Sequence, residues 1–154
     1  MRIVIATSHR GISARGMLVE LLRHGGNEVV DCGVFDSQPV DYPGIAFDVA
    51  GKVSRGEAER GILVSGMGFG MVIATNKFRN VRAVLCYDEI AAEISRRHFD
   101  CNVLCLSYHL TSAEMLRHIV ETWLAAPFEG GRHARRLKSI TRLEDENMKP
   151  QGEH

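Results

Sequence analysis

The sequence predicts an α/β fold: a three-layer αβα sandwich on a five-stranded parallel sheet, with one additional helix near the C-terminal end. Three observations predict it. Five short runs rich in β-branched and aliphatic residues recur along the chain, most are too uniformly apolar for a strand with one wet face, and a stretch of helical periodicity separates each from the next. Right-handed crossovers between such units give parallel strands with helices on both faces. Ligands of such sheets bind in the crevice beyond the carboxyl ends of the strands.

The first strand is Ile3-Val4-Ile5-Ala6, and residues 14–24 carry the apolar spacing of a helix that Gly25-Gly26 stops. Glu28-Val29-Val30-Asp31 is the second strand, followed by a helix over residues 45–53. Gly61-Ile62-Leu63-Val64 leads through a glycine-rich turn into a helix over 71–77. The fourth unit is Val81-Arg82-Ala83-Val84-Leu85 with a helix over 90–98, and the fifth is Asn102-Val103-Leu104-Cys105-Leu106 with a helix over 113–125. Pro127-Phe128-Glu129-Gly130-Gly131 then breaks the chain before a basic helix over 132–146. Its narrow stripe of Leu137, Ile140 and Leu143 buries little by itself, so this helix is expected to reach toward a second subunit.

The 154 residues fit one domain, 1–146, with a frayed polar tail over 147–154. Nineteen basic residues balance nineteen acidic ones, so no overall field draws the surface to nucleic acid or an anionic membrane, and any anion site must be local. The apolar runs fall far short of the ~18–20 residues that span a bilayer. The chain passes from Met1-Arg2 straight into a strand with no signal-peptide pattern, which points to the cytoplasm. Cys32, Cys86, Cys101 and Cys105 lack the paired spacing of a metal site, and Cys101 reads as a buried thiol at the start of the fifth strand.

Chemistry concentrates after the third strand, in Ser65-Gly66-Met67-Gly68-Phe69-Gly70. Glycines at alternate positions let a ligand approach the backbone, and amides at a following helix start would hold an anion or oxyanion. The spacing matches neither the dinucleotide fingerprint nor the Walker loop, so no nucleotide is implied. The first strand ends in Thr7-Ser8-His9-Arg10-Gly11, placing the His9 imidazole at the same sheet edge. His98 closes the fourth helix in Arg96-Arg97-His98-Phe99-Asp100. Arg132 and Arg136 stand one helical turn apart and could clamp a phosphate.

Together these segments resemble the type B ribose-phosphate isomerase and galactose-phosphate isomerase family, from about Ile3 to Ile140. The resemblance rests on Asp41-Tyr42-Pro43, on Gly66-Met67-Gly68-Phe69-Gly70 with Ile73-Ala74-Thr75-Asn76-Lys77, on Arg82-Ala83-Val84, on Ser95-Arg96-Arg97-His98 with Asn102-Val103-Leu104, and on Glu129-Gly130-Gly131-Arg132-His133. It implies a Rossmann-like domain forming a homodimer or homotetramer, each pocket shared between subunits. It also implies aldose-ketose isomerisation of a sugar phosphate through an enediolate, with no metal and no organic cofactor. His98 would open the sugar ring, and amides from Gly66 to Gly70 would stabilise the oxyanion. Arg132, Arg136 and His9 would hold the phosphate, the two arginines coming from the partner subunit.

The departures from the family pattern cluster in the pocket. Ser8 stands where the family has an aspartate, Phe99 where it has an asparagine, His109 where it has an arginine, and Met67 where it has a small hydroxyl residue. The family's proton-abstracting base is a cysteine at the position of Ser65 or a glutamate at that of Met71. These changes imply an altered base, with Ser65 and a histidine handling the proton, or an altered substrate, shorter or differently hydroxylated. The alternative expectation is a non-catalytic sugar-phosphate-binding protein, or one subunit of a hetero-oligomeric isomerase.

Overall fold

A computed structural model describes residues 1–33 and 41–148. Its strands are β1 (Arg2–Thr7), β2 (Glu28–Asp31), β3 (Arg60–Ser65), β4 (Ala83–Leu85) and β5 (Val103–Ser107), all parallel, in the order β2-β1-β3-β5-β4. The helices are α1 (Ile12–His24), α2 (Tyr42–Ser54), α3 (Phe69–Thr75), α4 (Glu89–Arg97), α5 (Ala113–Ala125) and α6 (Arg132–Asn147).

Alternate strand residues feed two separate cores, which is why the strands are apolar at nearly every position. Ile3, Ile5, Ile62, Val64, Leu104 and Leu106 face α1, α4 and α5. Val4, Ala6, Leu63, Val103 and Cys105 face α2 and α3. The sheet is therefore covered on both sides, as the sequence predicts. Each fully buried Leu or Ile contributes roughly 1.5–3 kcal/mol.

Strand β1 lies between β2 and β3, so the chain reverses its direction of travel across the sheet at β1. Helices α1 and α3 leave the neighbouring strands β1 and β3 toward opposite faces. That divergence opens the crevice in which doubly wound sheets bind ligands.

The structure moves several expected boundaries. Strand β4 starts at Ala83 rather than Val81, because the Val81 amide donates to Phe78 C=O at 3.4 Å and the Arg82 amide to Asn102 Oδ1 at 2.8 Å. Helix α2 begins three residues early, with Pro43 in its first turn, where a missing amide costs nothing. Helix α3 begins at Phe69, two residues early, and is only seven residues long. A 3-10 turn at His9–Gly11, unmarked by any apolar spacing, joins β1 directly to α1.

Gly130 and Gly131 adopt φ of 68° and 56°, a region that side chains disfavour, and α6 departs from there. Its stripe of Leu137, Ile140 and Leu143 lines a groove of about 720 Å³ with Val84, Ile94 and Phe99 of the same chain. Arg79 pairs with Asp145, and the Asn80 amide donates to Glu144 Oε2 at 2.9 Å, so the far end of α6 is held by its own chain. Ile140 and Leu143 nevertheless stay 51% and 55% exposed. Of the expected tail over 147–154, residues 149–154 lie outside the described residues. Among the described residues, no helix is long and apolar enough to cross a membrane.

Candidate active site

Hydrogen bonds fix the carboxyl ends of β1, β3 and β5 against one another. The Ser8 amide donates to Val64 C=O at 2.8 Å and the Tyr108 amide to Ser65 C=O at 2.8 Å. Gly66 C=O accepts from the His109 amide at 3.1 Å and from the Ser107 hydroxyl at 2.7 Å. Ser65, at the end of β3, is buried, and its Oγ accepts the Gly68 amide at 3.0 Å. That bond folds the turn back on itself and leaves the Ser65 hydroxyl proton free to donate.

Two glycines of this turn are closely approached by side chains, and one of them also has a backbone conformation that side chains disfavour. Gly68 has φ of 84°, and a Cβ there would sit 2.5 Å from Leu85 Cδ1. A Cβ at Gly70 would meet the Tyr42 ring at 2.4 Å. The result is a pocket of about 270 Å³ between the β1 and β3 turns. Among the described residues Ser8, His9, Arg10, Tyr42 and Ser65 are its polar side chains, and no carboxylate lines it. His9 Nδ1 is buried with no hydrogen-bond partner among the described residues. Met67 and Phe69 are exposed at the pocket, whereas Met71 is buried beneath it.

The other sequence-predicted residues gather elsewhere. The His98 ring stacks on His133 with centroids 4.2 Å apart and planes 9° apart. Glu129 Oε2 lies 3.8 Å from His98 Nε2 and 3.5 Å from His133 Nε2. Arg97 Nε donates to Glu129 Oε1 at 2.7 Å, and this guanidinium holds the carboxyl below its usual range. Burial, and then the charges of His98 and Arg132, hold His133 below the ordinary imidazole value. Arg132 and Arg136 are exposed at the start of α6, without a carboxylate partner among the described residues. Phe99, next to His98 in sequence, is half exposed and packs its ring at an angle to that of His98.

The three donor atoms of His98, Glu129 and His133 lie within 4.8 Å of one another. Two imidazoles stacked face to face direct their in-plane lone pairs side by side, so a single ion would not meet both head-on.

Topology separates the two groups within one chain. Helices of a βαβ unit run against the strands, so α4 delivers His98 to the amino edge of the sheet, five residues before β5, while Ser65 sits at the carboxyl edge. The five residues of β5 alone span roughly 15 Å. Among the described residues, no hydrogen bond, ion pair or ring contact joins Ser65, His9 or the Gly66–Gly70 turn to His98, Arg132 or Arg136.

Position 109, where the resemblance implies an arginine, carries a histidine whose Nε2 lies 3.1 Å from Arg10 Nη1. Arg10, Tyr42, Glu129 and His133 were not singled out from sequence for a role. Their signals were present, Arg10 beside His9 and the others inside the quoted motifs, but their contacts depend on how separate strand ends meet. Cys101 is a buried thiol pushed up to about 11 by desolvation, so it stays protonated.

The sequence model of the Ribose/Galactose Isomerase family matches residues 3–140. Ribose-5-phosphate isomerase B of Escherichia coli is 41% identical over 143 residues, covering 93% of this chain and 96% of the relative. The structure of Clostridium thermocellum ribose-5-phosphate isomerase B superposes with a TM-score of 0.91 at 38% identity, covering 95% of this chain and 99% of the other. The Mycoplasma genitalium enzyme, crystallised with bound ribulose-5-phosphate, gives a TM-score of 0.91 at 39% identity over 95% and 97% of the two chains.

Proposed function

The chain belongs to the Ribose/Galactose Isomerase family, and from that premise we propose that it interconverts an aldose phosphate and the matching ketose phosphate through an enediolate. The observation that carries the reading is the pocket at the β1–β3 switch point, closed by the Ser65–Gly70 turn and lined by Ser8, His9, Arg10 and Tyr42.

The reaction needs a proton removed from the carbon beside the carbonyl and returned to the neighbouring carbon, while the two oxygens exchange a proton. Ser65 would take part in this step, acting with a histidine because a serine hydroxyl alone is a weak base. His9 is the pocket's own imidazole, and its unpartnered Nδ1 suits that assistance. Backbone amides of Gly66 to Gly70 would face the developing oxyanion. Met67 and Phe69 narrow the sugar end with apolar surface, and Ser8 leaves it less acidic than an aspartate would.

Two subunits are part of this proposal. His98, which would open the sugar ring, and Arg132 and Arg136, which would hold the phosphate, lie at the edge opposite Ser65 in their own chain. A homodimer, or a homotetramer built from dimers, would bring this group of one subunit to the pocket of the other, where Phe99 and His109 would flank the substrate. The proposal keeps the enzyme in the cytoplasm, where its four free cysteines remain reduced.

The test is exchange of the substrate's α-hydrogen in deuterated water across aldose and ketose phosphates, beginning with ribose 5-phosphate. Exchange with interconversion supports the reading. Phosphate binding without exchange from any member of the panel rejects it in favour of a binding protein.

A further inference from the structure

Arg10 enters the pocket from the 3-10 turn after β1 and faces the glycine turn after β3. Its setting differs from those of Arg15 and Arg97. Arg15 pairs with Asp31 and Arg97 with Glu129, so carboxylates offset their charges. Arg10 Nη1 lies 3.1 Å from His109 Nε2 instead, and no carboxylate approaches its guanidinium among the described residues.

A guanidinium only donates, so His109 Nε2 is the acceptor and the His109 proton sits on Nδ1. A neutral acceptor orients a cation without cancelling it. Gly66 makes the arrangement possible, since a Cβ there would lie 3.0 Å from His109 Cδ2 and 3.3 Å from Arg10 Cδ. Both side chains therefore lie across the bare backbone of the turn. Among the described residues the pocket beneath has no carboxylate, and the chain as a whole carries no net charge, so the positive field is local and directed into the pocket.

We propose that Arg10 is the pocket's own phosphate ligand, held beside Gly66, where the glycine turn begins, by His109 as its positioning residue. The inference rests on the isomerase reading for the identity of the ligand as a sugar phosphate. Its geometry does not depend on that reading.

The experiment compares the full-length protein with Arg10→Ala, Arg10→Lys and His109→Ala. Two quantities are read: kcat and KM for ribose 5-phosphate, and the dissociation constant of inorganic phosphate by calorimetry. Loss of a charge-assisted hydrogen bond predicts a rise of roughly 10- to 100-fold in KM and in the phosphate constant for Arg10→Ala, with the larger part of the kinetic effect on KM. Arg10→Lys should recover part of the loss, because charge returns without the planar fork. His109→Ala should show a smaller rise, because the guanidinium remains but is no longer held. Equal KM and equal phosphate affinity in Arg10→Ala and the parent overturn the inference while leaving the isomerase reading in place. If the parent turns over no sugar phosphate, that reading fails, and phosphate calorimetry alone decides: weaker binding by Arg10→Ala sustains the site, and equal or no binding in both proteins rejects it.

Discussion

The imidazoles of His98 and His133 lie face to face, 4.2 Å apart, with one carboxylate among the described residues, that of Glu129, within reach of both Nε2 atoms. One negative charge can balance only one protonated ring. The charge of His98 therefore opposes protonation of His133.

The first prediction concerns its titration. His133 is held below the ordinary imidazole value of 6.5, by burial first and then by the charge of His98. In His98→Ala both causes weaken, so His133 should titrate upward toward that value, as followed by its ring-proton NMR shifts. A downward move or none would contradict the stacked arrangement. The sign for stability follows from linkage: below 6.5 the unfolded chain takes up a proton that folded His133 resists, so this group's contribution falls as pH drops from 6.5 through the lower folded value. Urea midpoints measured on either side of 6.5 should show that fall, with a smaller one in His98→Ala.

The second prediction tests the shared site. Ser65→Ala and His98→Ala should each lose roughly 10²–10⁴ in turnover. Unfolded together and refolded as a mixture, they should regain about a quarter of the parent activity, since half the dimers are mixed and one of their two sites is intact. Activity no greater than that of the separate variants, despite demonstrated mixing by mass spectrometry, would exclude subunit sharing.

The third prediction separates two glycines of one turn. Gly68→Ala meets a backbone restriction at φ of 84° and a side chain, Leu85, that is half-buried, so it should cost roughly 1–3 kcal/mol. Gly70→Ala meets only the Tyr42 ring, which is 45% exposed and free to turn away, so it should cost less than about 1 kcal/mol. Urea denaturation of the two variants gives the order directly. A reversed order would mean that the turn is built differently.

A fourth prediction follows from the bond between Ser65 Oγ and the Gly68 amide at 3.0 Å. Ser65→Ala strands that buried amide, so beyond its effect on turnover it should lower stability by roughly 1–3 kcal/mol. Thermal unfolding measures this. An unchanged melting point would show that water replaces the hydroxyl without loss.

The strands were legible in the sequence because two cores draw on alternate residues of the same segment: Ile3 and Ile5 serve one, Val4 and Ala6 the other. The glycine turn was legible because its backbone need at Gly68 and the close approach of a ring at Gly70 leave a compositional trace. The start of β4 was not, since Val81 and Arg82 look strand-like yet spend their amides on Phe78 and on the Asn102 side chain. The candidate site was half legible. Ser65 and His9 could be placed at the carboxyl edge from strand direction, and the same rule, applied to the end of α4, places His98 at the amino edge. The contact between Arg10 and His109 joins residues 99 positions apart, and no local spacing encodes it.

The paired glycines ahead of α6 act as a pivot whose bearing is set by the absence of two β-carbons. Sixteen helical residues extend roughly 24 Å from that point, so a swing of about 10° there carries the distal tip about 4 Å sideways. The Arg79–Asp145 latch at the far end corrects such an error. Aim at one end and anchorage at the other are thus supplied by different parts of the chain, and the guanidinium pair is steered from both.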